Sequence, residues 1–385
     1  MVWVRYAATS LRPRGSSLVR LIYTPLVLLA VVSCRDSAAP QAKAWSLSDT
    51  LVRIGKEGVA ETEFHGVAGA VRLSSGEIAV ADRGSNQIRY FGPNGDFRRS
   101  FGREGAGPGE FRSMGSLIRF GDTLAIYDGR NSRLTLFLGT TLIQTLPVRA
   151  ANAQERYYID DRLPDGRWLA GTSVSPRFSS RPYRDSIAIG IFPPSADGDV
   201  QLVGWFPGPW IVSIEGQITG LAGFFRWVTS SPAGREILVV DADQEQLRRF
   251  ALDKTELAAI PIAGYAETLT PEVINQAKAQ EPSSGFDSVL ARKWIDVQYD
   301  PVVLPRRLPF AGLLVDSDTN VWLGAYRDDR APGRYFVLSL NGRLLATVTV
   351  PAGFRPTEIG TDYCLGVRTD SDGIESVAMY RLRRD

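Results

Sequence analysis

Polar and apolar positions alternate along this chain in short runs that stop at Gly, Asp and Asn, the pattern of half-buried strands joined by tight turns. Three units share one register. Ser75-Gly76 leads into Ile78-Ala-Val-Ala-Asp82 and then Ile88-Arg-Tyr-Phe91. Gly121-Asp122 leads into Leu124-Ala-Ile-Tyr-Asp128 and Leu134-Thr-Leu-Phe137, and Gly234-Arg235 into Ile237-Leu-Val-Val-Asp241 and Leu247-Arg-Arg-Phe250. In each unit an apolar residue follows the Asp by six positions and Phe follows it by nine. Looser hairpins begin at Asp165-Gly166, at Asp316 to Trp322 and at Gly360 to Tyr363, which brings the hairpins to six.

A hairpin cannot bury its apolar face alone, so repeated hairpins must stack on one another. Radial repetition of four-stranded sheets around a channel does this while protecting strand edges. The expected fold is therefore all-β, a six-bladed β-propeller over residues 45–385. The strand before each hairpin, such as 69–73 or 116–120, is expected innermost, and the strand after it, such as 96–101, outermost.

A second repeat locates the chain ends. Gly102-Arg-Glu-Gly-Ala-Gly-Pro-Gly-Glu110-Phe111 has a degraded copy at Gly55-Lys-Glu-Gly-Val-Ala-Glu-Thr-Glu63-Phe64, offset by 47. Both copies follow an outermost strand, which makes the segment a joint between blades. Residues 50–54 thus read as an outermost strand without a hairpin, and the last unit, ending at Leu382, lacks one. The N-terminal strand is expected to complete the last blade. A helical insertion is expected between 265 and 304. Thr270 would cap its first helix and Pro271 would take the first helical position; a second helix spans 287–297.

The N-terminus reads as a targeting segment. Arg5, Arg12, Arg14 and Arg20 precede an apolar run, Leu21 to Val32, too short to span a bilayer as a mature helix. Its end, Val31-Val-Ser-Cys34, resembles the lipobox of bacterial lipoproteins. That resemblance implies a signal peptide at 1–33, lipidation of Cys34, a flexible tether at 34–44 and a membrane partner reached through the lipid. The leader holds four of the 44 basic residues and none of the 42 acidic ones, so the chain beyond it is near neutral. A nucleic-acid partner loses its electrostatic basis. With Cys34 acylated, Cys364 stands alone and a disulfide scaffold is excluded.

Candidate chemistry is sparse. His65 is the sole histidine, so imidazole-based triads and zinc sites have little to work with; it is expected to pack beside Phe64. Asp82, Asp128 and Asp241 recur at one position, which favours a structural turn over a cation site. Arg306-Arg307 and Arg181-Pro-Tyr-Arg184 are candidate ligand-binding residues at a channel mouth. Trp205, Phe206, Trp210, Phe224, Phe225 and Trp227 are expected in the core between the third and fourth units.

Ile78 to Asp82, Gly102 to Phe111, Leu308-Pro309 ahead of Leu314-Val-Asp316, and Asn320-Val-Trp322 together resemble six-bladed propellers of the NHL-repeat type, among them bacterial propeller lipoproteins. The resemblance implies a lipid-anchored, periplasmic or surface-facing monomer in the bacterial cell envelope. Arg35 in place of Asp after the cysteine points to the outer membrane. Propellers of this type include binding scaffolds, lyases and lactonases; with no catalytic centre or cofactor identifiable among its residues, this chain is expected to be a ligand-binding or protein-interaction module for a protein, peptide or carbohydrate. The alternative within the same resemblance is a calcium-dependent lactonase- or esterase-like hydrolase at the channel.

Overall fold

The computed structural model describes residues 45–56, 58–153, 156–173, 179–214, 218–221, 229–241, 245–280, 288–310, 312–326 and 331–384. Cys34 and the leader lie outside the described residues. Among the described residues six antiparallel sheets follow one another, the third built on Tyr157–Arg162, Trp168–Thr172 and Tyr183–Phe192. Val67–Arg72, Ile78–Asp82, Gln87–Phe91 and Phe97–Phe101 form the first sheet; Met114–Phe120, Thr123–Asp128, Arg133–Leu138 and Thr141–Pro147 form the second. Thr229–Ala233 through Glu256–Pro261 make the fourth, and Gly312–Val315 through Leu344–Val350 the fifth. In the sixth, Phe354–Ile359, Tyr363–Thr369 and Glu375–Arg383 are joined by a strand from the start of the chain, Ser46–Ile54. That strand runs antiparallel to Glu375–Arg383, with Val52 opposite Met379 and Ile54 opposite Val377.

The first strand of each sheet lies beside the first strand of the next, and the first strand of the sixth sheet lies beside Val67–Arg72. Each interface between consecutive sheets has its own apolar cluster. Ile88, Phe111 and Phe137 fill the first, Tyr127, Trp168 and Phe192 the second, and Ile189, Phe206 and Phe250 the third. Leu247 and Leu323 belong to the fourth, and Trp322 and Phe354 to the fifth. Val52, Ile54, Phe91 and Met379 fill the interface between the sixth sheet and the first. Meandering sheets packed face to face around their inner strands are the arrangement of a β-propeller.

The third sheet departs from the expected four strands. Gln201–Ile214 runs for 14 residues and adds a fifth strand, Ile218–Leu221. The strand continues through Pro207-Gly-Pro209. A register irregularity between Arg184 and Ser186 falls where the prolines pass, the kind of site at which a sheet tolerates a missing donor. The Arg184 guanidinium donates to the Gly208 and Pro207 carbonyls at 2.9 and 3.5 Å.

The insertion carries helix α1, Pro271–Gln280, and helix α2, Ser288–Gln298. Thr270 Oγ1 accepts the Val273 N–H, and Pro271 opens α1. The helices share a small core with Tyr299 and Leu308, and Trp294 of α2 packs with Trp210 and Val212 of the long strand. Phe206 is buried as expected, but Trp205 is exposed because it falls on the other face of the same strand. Residues 224, 225 and 227 lie outside the described residues. Among those described, no helix is long and apolar enough to cross a membrane.

The Gly-rich joint binds itself. Glu110 accepts the Gly107 N–H at 2.7 Å and pairs with Arg103, while Arg133 donates to the carbonyls of Ala106, Gly107 and Glu110. Arg89 does the same for the upstream copy, donating to the Ala60 and Glu63 carbonyls. Gly102 has φ +96°, and a Cβ there would stand 2.7 Å from the Phe111 ring. Gly102→Ala is therefore expected to lower stability by about 2 kcal/mol or more, measured as a lower denaturant midpoint with an unchanged slope.

Candidate functional site

The inner strands enclose a cavity of about 460 Å³, lined by segments of the first, second, third, fifth and sixth sheets. Its shape follows from one local device. Four inner strands carry an irregularity where an extra residue enters: Ala68 in the first sheet, Gly115-Ser116 in the second, Asp160 in the third and Thr357 in the sixth. Regular strands alternate their side chains between faces, and a bulge breaks that alternation. Neighbouring residues at these points therefore both reach the cavity: Ala68 with Gly69, Ser116 with Leu117, Asp160 with Asp161, and Thr357 with Glu358.

Most charges along this wall are held by the protein. Glu358 accepts the Arg72 N–H at 2.9 Å and an Arg119 Nη2–H at 3.3 Å, and the Tyr363 hydroxyl donates to it. Burial and the Glu358 charge push the Tyr363 phenol upward, so it stays a donor. Asp316 accepts from Trp322 Nε1 at 3.0 Å and from Asn320, and pairs with Arg384.

Asp160 and Asp161 differ. Asp160 has no hydrogen bond or ion pair among the described residues, and Asp161 accepts only the adjacent Arg162 N–H, at 2.7 Å. Asp160 is exposed to the solvent of the channel, and Asp161 beside it is half-buried. Burial, then the charge of Asp161, pushes the Asp160 carboxyl up to about 7. Burial pushes Asp161 up to about 6, against the Arg162 N–H.

The residues singled out from the sequence are arranged otherwise. Arg307 pairs with Glu245 at 2.8 Å and donates to the Ala263 and Ala266 carbonyls, which ties the insertion to the fourth sheet's loop. Arg184 holds its own sheet. Arg181 and Arg306 are exposed, and none of the four lines the cavity. Asp82 accepts the His65 N–H and the Ser85 hydroxyl and faces Arg89 at 3.3 Å. Asp128 accepts from Arg112, Ser113 and Asn131. Both carboxylates are buried and structural; the Asp241 side chain lies outside the description. His65 holds its place through its main chain while its side chain is exposed, 3.7 Å from Glu63, which corrects the expected packing beside Phe64. Cys364 is fully buried in the core, where burial raises its thiol and keeps it protonated.

A calcium site needs several oxygen ligands converging on one point. Among the described residues, no three His, Cys, Asp or Glu side chains are so gathered. The sequence held one unused signal: two adjacent acids in Tyr157-Tyr-Ile-Asp160-Asp161-Arg162, a segment otherwise patterned as an inner strand.

No family model and no curated protein matches this chain. Solved structures do. Regucalcin, a calcium-binding protein from Agrobacterium tumefaciens, aligns at 12% identity and TM-score 0.45 over 89% of this chain and 97% of its own. Virginiamycin B lyase from Staphylococcus aureus, with quinupristin, aligns at 10% and 0.43 over 87% and 99%. A Bacteroides thetaiotaomicron protein of unknown function aligns at 10% and 0.48 over 88% and 76%.

The acid pair makes stability depend on pH in a defined sense. Both carboxyls hold their protons more tightly in the folded chain than in the unfolded one. Their favourable contribution is complete below the ordinary carboxylate range and is lost as pH rises through about 6 to 7. Asp160→Asn removes part of that loss. Because solvent screens an exposed carboxyl, its melting temperature is expected to exceed that of the parent at pH 8 by about 1 °C or less, with a smaller difference at pH 5.

Proposed function

We propose that the chain is a six-bladed β-propeller of the NHL-repeat type, closed by its N-terminal strand, exported by residues 1–33 and anchored in the bacterial envelope through lipid on Cys34. In this reading it is a binding module whose ligand enters the channel between the inner strands. The observation that carries it is the cavity of about 460 Å³ with an acid pair that the fold does not neutralise. Pockets for small molecules combine such a volume with a few placed polar groups, and groups needed only for folding are ordinarily paired, as Asp82, Asp128 and Glu358 are here.

A binding role is favoured over hydrolysis because the hydroxyl–carboxylate pair of the channel, Tyr363 on Glu358, is fixed by Arg119 and the Arg72 N–H with its phenol pushed upward by burial, and His65 stands outside the cavity. The exposed Arg181 and Arg306 remain accessible to a protein or carbohydrate partner on the surface.

Two experiments test this. Ser116→Trp fills the channel from an inner-strand bulge. Native mass spectrometry of the full chain extracted from envelopes is expected to show a bound small molecule in the parent and its loss in the variant; an unaffected ligand contradicts the channel reading. Cys34→Ser is expected to move the protein from the membrane fraction to the soluble extracytoplasmic fraction. Unchanged membrane partitioning would contradict the anchor.

A further inference from the structure

The charges of the channel sort into two sets. Glu358, Arg119 and Asp316 are compensated within the protein. Asp160 and Asp161 on the third sheet, and Arg355 on the sixth, are not. Arg355 is exposed into the cavity, its hydrogen bond among the described residues is a long one, 3.5 Å, to the Val67 carbonyl, and no carboxylate there pairs with it. Asp160 and Asp161 have no guanidinium partner either. Burial raises both, the Asp161 charge raises Asp160 further, and only the Arg162 main-chain N–H opposes this, at Asp161. One cavity thus holds an uncompensated acid wall and an uncompensated basic group that do not neutralise each other.

In the sequence of inner strands, the third and sixth sheets are separated by two sheets either way round. Opposite charges set apart in this manner suit a ligand that carries both signs. We infer that the channel binds a small zwitterion, its protonated amine at Asp160 and Asp161 and its carboxylate or other anionic group at Arg355. This rests on the channel reading above and names the ligand class. A guanidinium can take a carboxylate through two parallel hydrogen bonds, and paired carboxylates can each accept from one ammonium, which has three donors. Placing both ends inside a cavity removes the solvent that would screen either contact alone. The Arg119–Glu358–Tyr363 group, already satisfied, borders the space without adding net charge.

Isothermal titration of the full chain tests the assignment with probes of defined charge: β-alanine, 4-aminobutyrate and 6-aminohexanoate as zwitterions of increasing span, butylamine as the amine alone and butyrate as the acid alone. At pH 8, at least one amino acid is expected to bind tenfold or more tightly than either single-charge probe. Asp160→Asn with Asp161→Asn, and separately Arg355→Gln, are each expected to weaken it at least tenfold while the protein still melts cooperatively. Affinity should also fall from pH 8 to pH 5 as the acid pair takes up protons.

Butylamine binding as tightly as the amino acids, with no effect of Arg355→Gln, would overturn the zwitterion in favour of a simple cation. Binding by none of the probes would overturn the ligand class. If a co-purifying ligand is nevertheless displaced by Ser116→Trp, the channel reading stands and only the zwitterion fails; if it is not, both fall.

Discussion

The antiparallel pairing of Ser46–Ile54 with Glu375–Arg383 is the constraint on which the remaining arrangement depends. A row of sheets packed face to face has two exposed ends, and each would leave an apolar face uncovered. Here the end sheets cover each other. Val52, Ile54 and Met379 share one cluster with Ile78 and Phe91 of the first sheet. The polar contacts repeat the connection. Glu375 accepts the Gly66 N–H, Glu358 accepts the Arg72 N–H, and Thr357 donates to the Ala70 carbonyl. Gly55, where the first strand leaves the seam, has φ +132°, and a Cβ there would meet Ser376 at 2.7 Å. Chain ends far apart in sequence are thereby held without a disulfide, by burial and by carboxylates that accept main-chain N–H groups.

The cavity inherits its chemistry from that arrangement. Inner strands of five sheets bring main chain close to a common space, and bulges in four of them turn consecutive side chains into it. The bulges fall at two levels, Ala68 and Ser116 four pairs from the hairpin turn and Asp160 and Thr357 two pairs from it. The repeat supplies the position, and the residue placed there supplies the function. Asp82 and Asp128 show the opposite case, in which a carboxylate recurring at one position is consumed by the turn that recurs with it.

Much of this architecture was legible in the sequence because its signals are local. The Asp-to-Phe register of the hairpins, the duplicated Gly-rich joint and the Thr270-Pro271 helix start each follow from turn or capping chemistry within about ten residues. The fifth strand of the third sheet was not legible, since only Arg184 and the insertion helix beside it explain why the strand continues through Pro207-Gly-Pro209. The site was harder still. Arg306 and Arg307 looked like a binding pair, but proximity in sequence gave no indication that Arg307 faces Glu245. Asp160 and Asp161 carry no local motif that sets them apart. Their significance arises from what surrounds them in space, and a strand bulge leaves no strong mark in a hydrophobic pattern.

The most direct test is a crystal structure of the full chain purified under conditions that retain bound small molecules. The account expects density for a small molecule between the inner strands, in contact with Asp160 or Asp161 and reaching toward Arg355. Density for a ligand seated on the loops around Arg181 or Arg306, with the channel holding only water, would contradict it.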